Sequence, residues 1–302
     1  MNKPMVIAMP GTDALANAIA AAVAGELTGI ETRRFPDDEV YLRLQADPKG
    51  RSVVVVATLD RPDAKLLSVL FAAGAARSLG AAHIGLVAPY LPYMRQDKRF
   101  RDGEAVTSVH FADMVSAAFD WLATVDPHLH RYRSLGEVYR IPAVALQAAP
   151  LLSAWIKEHV ARPLLVGPDA ESEQWVSAVA ARAKAPHVVL SKERFGDRDV
   201  RVSVPDLSRW AGHTPVLVDD IVSSARTMIE ACRHMVAAGL PRPVCVAVHA
   251  LFAGDAFQSL RQVAGRIVTT NTVPHETNAI DIAPLFGRSL LDLPREGRAR
   301  GS

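Results

Sequence analysis

The chain has 302 residues, 49% hydrophobic and 22% charged, with a formal net charge of +2. That length holds roughly two domains of ordinary size, and the composition is that of a soluble globular protein with ample core. The near-neutral charge excludes bulk attraction to nucleic acid or an acidic membrane surface, and no apolar run approaches a bilayer span.

From the amino terminus, Met5–Met9 reads as a strand followed by Pro10-Gly11, not as a basic segment leading into a long apolar run, so no signal peptide is expected. Val53–Ala57 reads as a strand and Ala64–Leu79 as a helix, with apolar residues at Leu66, Leu67, Leu70, Phe71 and Ala75. Ile84–Ala88 is again a strand, Val106–Ala118 a helix and Trp121–Val125 a strand. The alternation resumes with Leu164–Val166 (strand), Glu173–Arg182 (helix), His187–Leu190 and Val216–Val218 (strands), Arg226–Ala238 (helix), and Val244–His249 and Arg266–Thr270 (strands). Continuous β-branched runs predict parallel strands buried on both faces, and the alternation predicts α/β layers. A helix is expected near Ile282–Leu291, able to return to either domain. The stretch from Pro294 to Ser302 reads as part of a disordered basic tail beginning at 293. Cys232 and Cys245 sit in apolar surroundings and read as buried free thiols, which fits a reducing cytoplasm.

A weak internal repeat organises these elements. Val53 to Tyr90 and Val216 to Leu251 both read strand, turn, helix, glycine, strand, at an offset of about 160 residues. Tandem similar domains over 1–145 and 146–292 are the simplest account, with the break near Ile141–Leu151. The copies differ at the turn. The second has Asp219-Asp220, then Ser223-Ser224-Ala225-Arg226-Thr227 before a helix; the first has Thr58-Leu59-Asp60-Arg61-Pro62. A parallel strand delivers the residues after it to the sheet's carboxyl edge, where open α/β proteins bind ligands. The next helix starts with free N–H groups and a partial positive charge, which suits a phosphate. Two carboxylates beside such a cradle suit the hydroxyls of a sugar phosphate, though they also suit a metal or a helix cap. A proline and a bulky residue suit a cradle poorly, so the phosphate site is expected in the second domain alone.

Other polar segments have two readings each. Phe35-Pro36-Asp37-Asp38-Glu39 is a charged turn, or an aromatic face for a base with carboxylates for its amino group. Arg95 and Gln96, in the loop from Pro89 to Arg99, belong to a solvated basic loop or a polyphosphate site. Asp126-Pro127-His128-Leu129-His130 ends a strand and is a weakly specific metal candidate, while Asp169 in Gly167-Pro168-Asp169 is a hard ligand of the kind magnesium takes. Ser191–Asp199 is a solvated hairpin, or a flap carrying Lys192 and Arg194 to a transferring phosphoryl group.

Taken in order, these segments resemble the ribose-phosphate pyrophosphokinase (phosphoribosyl pyrophosphate synthetase) family over about residues 5 to 290. The resemblance implies two tandem phosphoribosyltransferase-type domains with mainly parallel sheets. It implies that Phe35, Asp37 and Glu39 contact the adenine of ATP in a neighbouring subunit, that Arg95 and Gln96 bind ATP, and that His128 and Asp169 hold Mg2+. Asp219 and Asp220 would take the ribose hydroxyls of ribose 5-phosphate, Ser223, Ser224, Ala225, Arg226 and Thr227 its phosphate, and Lys192 and Arg194 would be catalytic. The implied reaction moves the β,γ-diphosphoryl group of ATP to the anomeric hydroxyl, releasing AMP, in a homo-oligomer that is at least a dimer. Asp38 stands where the family often has glycine, and Ala225-Arg226 where it commonly has two, which resembles a divergent branch. A phosphoribosyltransferase and a non-catalytic regulatory relative are the rival readings.

Overall fold

The computed structural model describes residues 3–169, 172–195, 199–203 and 207–293; the side chains of 174, 191–203, 208, 288 and 289 lie outside that description. It divides into two units, one running to Leu146 and taking up the chain again from Ala283, the other Gln147–Ile282.

The first unit runs β1 (Met5–Ala8), α1 (Asp13–Ala22), β2 (Glu26–Thr28), β3 (Ile30–Arg34), β4 (Val40–Leu44), β5 (Ser52–Val56), α2 (Leu66–Ser78), β6 (His83–Val87), α3 (Thr107–Ala118), β7 (Trp121–Val125) and β8 (Ala143–Leu146). Six strands form one parallel sheet in the order β2-β1-β5-β6-β7-β8, and β3–β4 form a separate antiparallel hairpin. Val53 through Val56 are each 0% exposed, so both faces of β5 are covered, which is why the run is continuous rather than alternating. Met5, Ile7, Val55, Leu86, Phe111 and Leu122 share the core, and α2 and α3 contribute Val69, Ala72, Ala76 and Val115. Gly85 pairs in register with Trp121, and a Cβ there would lie 1.9 Å from the indole ring.

The second unit runs α4 (Ala149–His159), β9 (Pro163–Gly167), α5 (Glu173–Ala183), β10 (His187–Val189), β11 (Ser191–Phe195), β12 (Asp199–Ser203), β13 (Thr214–Val222), α6 (Arg226–Ala237), β14 (Val244–Ala250), α7 (Ala256–Val263), β15 (Arg266–Thr270) and β16 (Asn278–Ile280). Its six-stranded sheet is parallel in the order β10-β9-β13-β14-β15-β16. Numbered within each sheet, both units have the order 2-1-3-4-5-6, and both place an antiparallel ribbon after the second strand. The internal repeat is therefore a repeat of topology. α6 buries Met228, Ala231, Cys232 and Met235, and the sulfurs of Cys232 and Cys245 lie 3.6 Å apart in this core.

Three expectations differ from the structure. The helix near Ile282–Leu291 is two short 3-10 turns, Ala283–Leu285 and Arg288–Leu291, because Pro284 and Gly287 interrupt it. That segment, counted within 146–292 but left able to return to either domain, groups with the first unit. The strand expected over Val216–Val218 continues to Val222, since pairing with β14 persists as far as Val222 and Ala250. The tail from residue 294 lies outside the described residues.

Candidate active site

In the second unit the strand order reverses at β9, which lies between β10 and β13; ligands of open α/β sheets bind beyond the carboxyl ends of strands at such a switch point. β13 carries Asp219 and Asp220 there, and β9 ends at Gly167 and leads into Pro168-Asp169. Burial pushes the Asp219 carboxyl well above its ordinary range; the charge of Asp220 and, more weakly, that of Asp169 push the same way. The Asp220 N–H donates to Asp219 Oδ1 at 3.0 Å and opposes the shift. Asp169 is held by its own carbonyl, which accepts from Ser172 Oγ at 2.6 Å and from the Ser172 N–H at 3.2 Å. A Cβ at Gly167 would come within 2.5 Å of Ser172 Oγ, so a side chain there would displace the hydroxyl that donates to the Asp169 carbonyl.

Past β13 the chain turns through Ser223 and Ser224 into Ala225, which adopts φ 56° and ψ 7°, the left-handed region, immediately before α6. Ala225 is buried, while Ser224 and Arg226 are exposed and Ser223 and Thr227 intermediate. A neighbouring loop clamps the turn: Leu251 N–H and Phe252 N–H donate to the Val222 carbonyl, and Ala253 N–H to Ser223, each at 3.0 Å. The alanine thus keeps a backbone shape that glycine adopts without strain. Arg226 stands at the first position of α6, where its charge opposes the helix dipole but favours an anion.

A buried polar network at the same edge escapes sequence reasoning. His249 Nδ1 and Thr272 Oγ1 lie 2.9 Å apart, and the Thr270 and Thr272 hydroxyls donate to the Val248 carbonyl at 2.7 and 2.9 Å. Ile221 pairs with His249, so the network buttresses the part of β14 against which the carboxylate-bearing end of β13 is registered. The hydroxyl-rich run Thr269-Thr270-Asn271-Thr272 at a strand end was the available signal.

The remaining candidates in that unit, Lys192 and Arg194, occupy alternate positions of β11, opposite Val202 and Val200. Their side chains are outside the described residues.

In the first unit, Phe35, Asp37 and Glu39 form the tip of the β3–β4 hairpin. Phe35 N–H donates to the Glu39 carbonyl at 2.8 Å, Asp38 N–H to Phe35 at 3.0 Å, and Asp38 takes φ 69°. Arg34 Nη1 donates to the Asp38 carbonyl at 2.7 Å, and Asp37 Oδ1 accepts from Glu39 N–H at 3.4 Å. The Arg33 guanidinium lies 4.6 Å from the Phe35 ring centroid and 4.3 Å from that of Tyr41, yet Phe35 stays 39% exposed. Arg95 is exposed on the loop after β6. Gln96 is partly committed to structure: its Oε1 accepts from Thr107 Oγ1 at 3.0 Å and its carbonyl from Ser108 N–H at 3.3 Å, anchoring the loop to the start of α3. Tyr93 beside it takes φ 62° and bonds Asp63, with burial first and that partner second raising its phenol to about 12. His128 follows β7, its ring stacked on His130 with centroids 3.8 Å apart.

Two parallel sheets with a repeated switch point, one followed by paired carboxylates and a left-handed turn into a helix, define a tandem phosphoribosyltransferase-type protein. Residues 4–118 match the N-terminal domain of ribose phosphate pyrophosphokinase, and residues 134–276 the phosphoribosyl transferase domain. The chain belongs to the ribose-phosphate pyrophosphokinase family. The ribose-phosphate pyrophosphokinase of Methanopyrus kandleri is 31% identical over 92% of this chain and 96% of its own length, and that of Sulfurisphaera tokodaii 29% over 95% and 100%. The crystal structure of phosphoribosylpyrophosphate synthetase from Mycobacterium smegmatis superposes with a TM-score of 0.81 at 25% identity, covering 99% of both chains.

Proposed function

We propose that this chain transfers the β,γ-diphosphoryl group of ATP to the anomeric hydroxyl of ribose 5-phosphate, giving phosphoribosyl pyrophosphate and AMP for nucleotide synthesis. The observation that carries the reading is the end of β13: two adjacent carboxylates, one driven toward its protonated form, leading directly into a clamped left-handed turn at a helix N-terminus.

Asp219 and Asp220 accept hydrogen bonds from the vicinal ribose hydroxyls, and Ser223 to Thr227 take the 5-phosphate. That holds the sugar by both ends and presents its anomeric hydroxyl in one direction. The hydroxyl oxygen gives up its proton to water and attacks the β-phosphorus in line; the bond from that phosphorus to the oxygen bridging to the α-phosphate breaks, and AMP leaves. Lys192 and Arg194 supply positive charge where negative charge develops on the phosphoryl oxygens. Phe35, Asp37 and Glu39 take the adenine of ATP, with Arg95 and Gln96 on its phosphates. The exposed Phe35 tip suits a base offered by another copy, so the active species is a homo-oligomer of at least two subunits. His128 and Asp169 are the residues for Mg2+. The mutual charge of Asp169, Asp219 and Asp220 makes their edge a hard-oxygen environment that fits this ion. When bound, magnesium neutralises phosphate charge and orients the chain of phosphates. Among the described residues no helix is long and apolar enough to cross a membrane, and the reducing cytoplasm is the proposed setting.

The test is AMP formation from ATP, magnesium and ribose 5-phosphate, with Lys192→Ala as control. AMP that requires ribose 5-phosphate and disappears in the variant is expected. No AMP, with ribose 5-phosphate still bound, would favour a non-catalytic relative and single out Arg226.

A further inference from the structure

The switch point of the first unit also holds a cavity. β1 lies between β2 and β5, as β9 lies between β10 and β13, and beyond the carboxyl ends of β1 and β5 is a pocket of about 290 Å3. Met9 and Thr58 line it at the strand ends, Lys65 just ahead of α2 and Ser68 on α2 line its wall, and Thr32 and Arg34 of the hairpin its roof. Among the described residues no carboxylate lines it, whereas the cationic side chains of Arg34 and Lys65 do. We infer that this pocket is a second ligand site, one for a small phosphate monoester.

Each part of the pocket bears on that class. The Lys65 ammonium bonds the Asp60 carboxylate and the Thr58 carbonyl, at 3.1 Å for the latter, which holds it against the wall with the third of its three protons to offer. Asp60 offsets the Lys65 charge, and Arg34 leaves the pocket cationic, while the Arg33 guanidinium lies over Phe35 and Tyr41 on the opposite face of the hairpin. The Thr32, Thr58 and Ser68 hydroxyls add neutral donors. Met9, Val40 and Val69 leave an apolar portion for a carbon skeleton. The volume is at the low end for ligand pockets, which fits a compact sugar phosphate better than a nucleotide polyphosphate. The turn Thr58–Pro62 carries a proline and a buried Leu59, which suit a backbone cradle poorly. Its Arg61, however, adopts φ 51° ahead of the helix, the counterpart of Ala225 in the second unit. The anion would be held here by side chains. Because the roof is the β3–β4 hairpin, an occupant would also fix the Phe35 turn; that consequence rests on the role proposed for Phe35, whereas binding does not.

Titration calorimetry of the full chain with ribose 5-phosphate, paired with hydrogen exchange over residues 30–44 and 57–69, tests this. Two monoester sites per chain are expected, with bound monoester protecting those segments. Lys65→Met or Arg34→Gln, each verified as folded by thermal melting, should abolish one site or weaken it at least tenfold while the other persists. Unchanged exchange in both segments at saturating ribose 5-phosphate overturns the inference, whereas a single site that protects them leaves it standing and counts against the second-unit site. Inorganic phosphate that binds and protects as well as the monoester overturns the ligand class. Neither readout depends on AMP formation, so failure of the proposed reaction and failure of this site are separable.

Discussion

At the scale of single residues, Ala225 and Asp219 both hold states their chemistry disfavours. A left-handed alanine costs roughly 1–2 kcal/mol, and glycine's greater freedom in the unfolded chain gives back part of that. Ala225→Gly is therefore expected to stabilise the protein by about 0.5–1 kcal/mol. It should also lower the KM for ribose 5-phosphate; calorimetric melting and initial rates check the two effects, and an unchanged KM would mean the turn is already unstrained for phosphate. Asp219 has its pKa raised by burial, then by Asp220 and Asp169. A carboxyl that ionises more readily unfolded than folded weakens the fold as pH rises from its ordinary pKa through the raised folded value, and the deficit persists above that value. Asp219→Asn should melt higher than the parent at pH 7–8, with the gap closing below the ordinary carboxylate range. Its activity should fall by about 10²-fold, as when one group aimed at the reacting substrate is removed. Melting curves across pH in both proteins decide the sign, and a variant less stable at pH 8 would contradict it.

At the scale of elements, tight register explains most of what was legible. Runs such as Val53–Val56 and Val216–Val218 announced buried parallel strands because both faces are covered. The placement of Asp219-Asp220 at the sheet's carboxyl edge was legible because local sequence puts the pair at the end of such a run. Short or weakly periodic elements were not: β16 has 3 residues, α7 has 8, and α1 is an alanine-rich helix whose meaning comes from packing on β1. The structural duty of Gln96 was hidden too, since its partners Thr107 and Ser108 come close only once α3 forms. Gly85 shows how unforgiving the sheet is. Its missing side chain is the space occupied by Trp121, so Gly85→Ala should cost about 3 kcal/mol or more through overpacking. Adding Trp121→Leu should recover part of that loss in denaturant titration; no recovery would place the strain elsewhere.

At the scale of the whole molecule, the residues proposed to act in the reaction are distributed over two units of one topology. Phe35, Asp37, Glu39, Arg95, Gln96 and His128 belong to the first, and Lys192, Arg194, Asp169 and Asp219 to Thr227 to the second. If the hairpin tip serves a neighbour's site, mixing inactive Lys192→Ala and Asp37→Ala proteins should restore part of the activity through hybrid assemblies. Absence of recovery after verified subunit exchange would confine each site to one chain. The matching ribbons carry a historical consequence. An antiparallel ribbon comes after the second strand of each sheet, and a left-handed residue precedes the helix after the third. Two insertions arriving independently at the same point is the less economical account. The ribbon then predates the duplication, and a single ancestral arm has diverged into a short aromatic-tipped finger in one half and a lysine- and arginine-bearing one in the other.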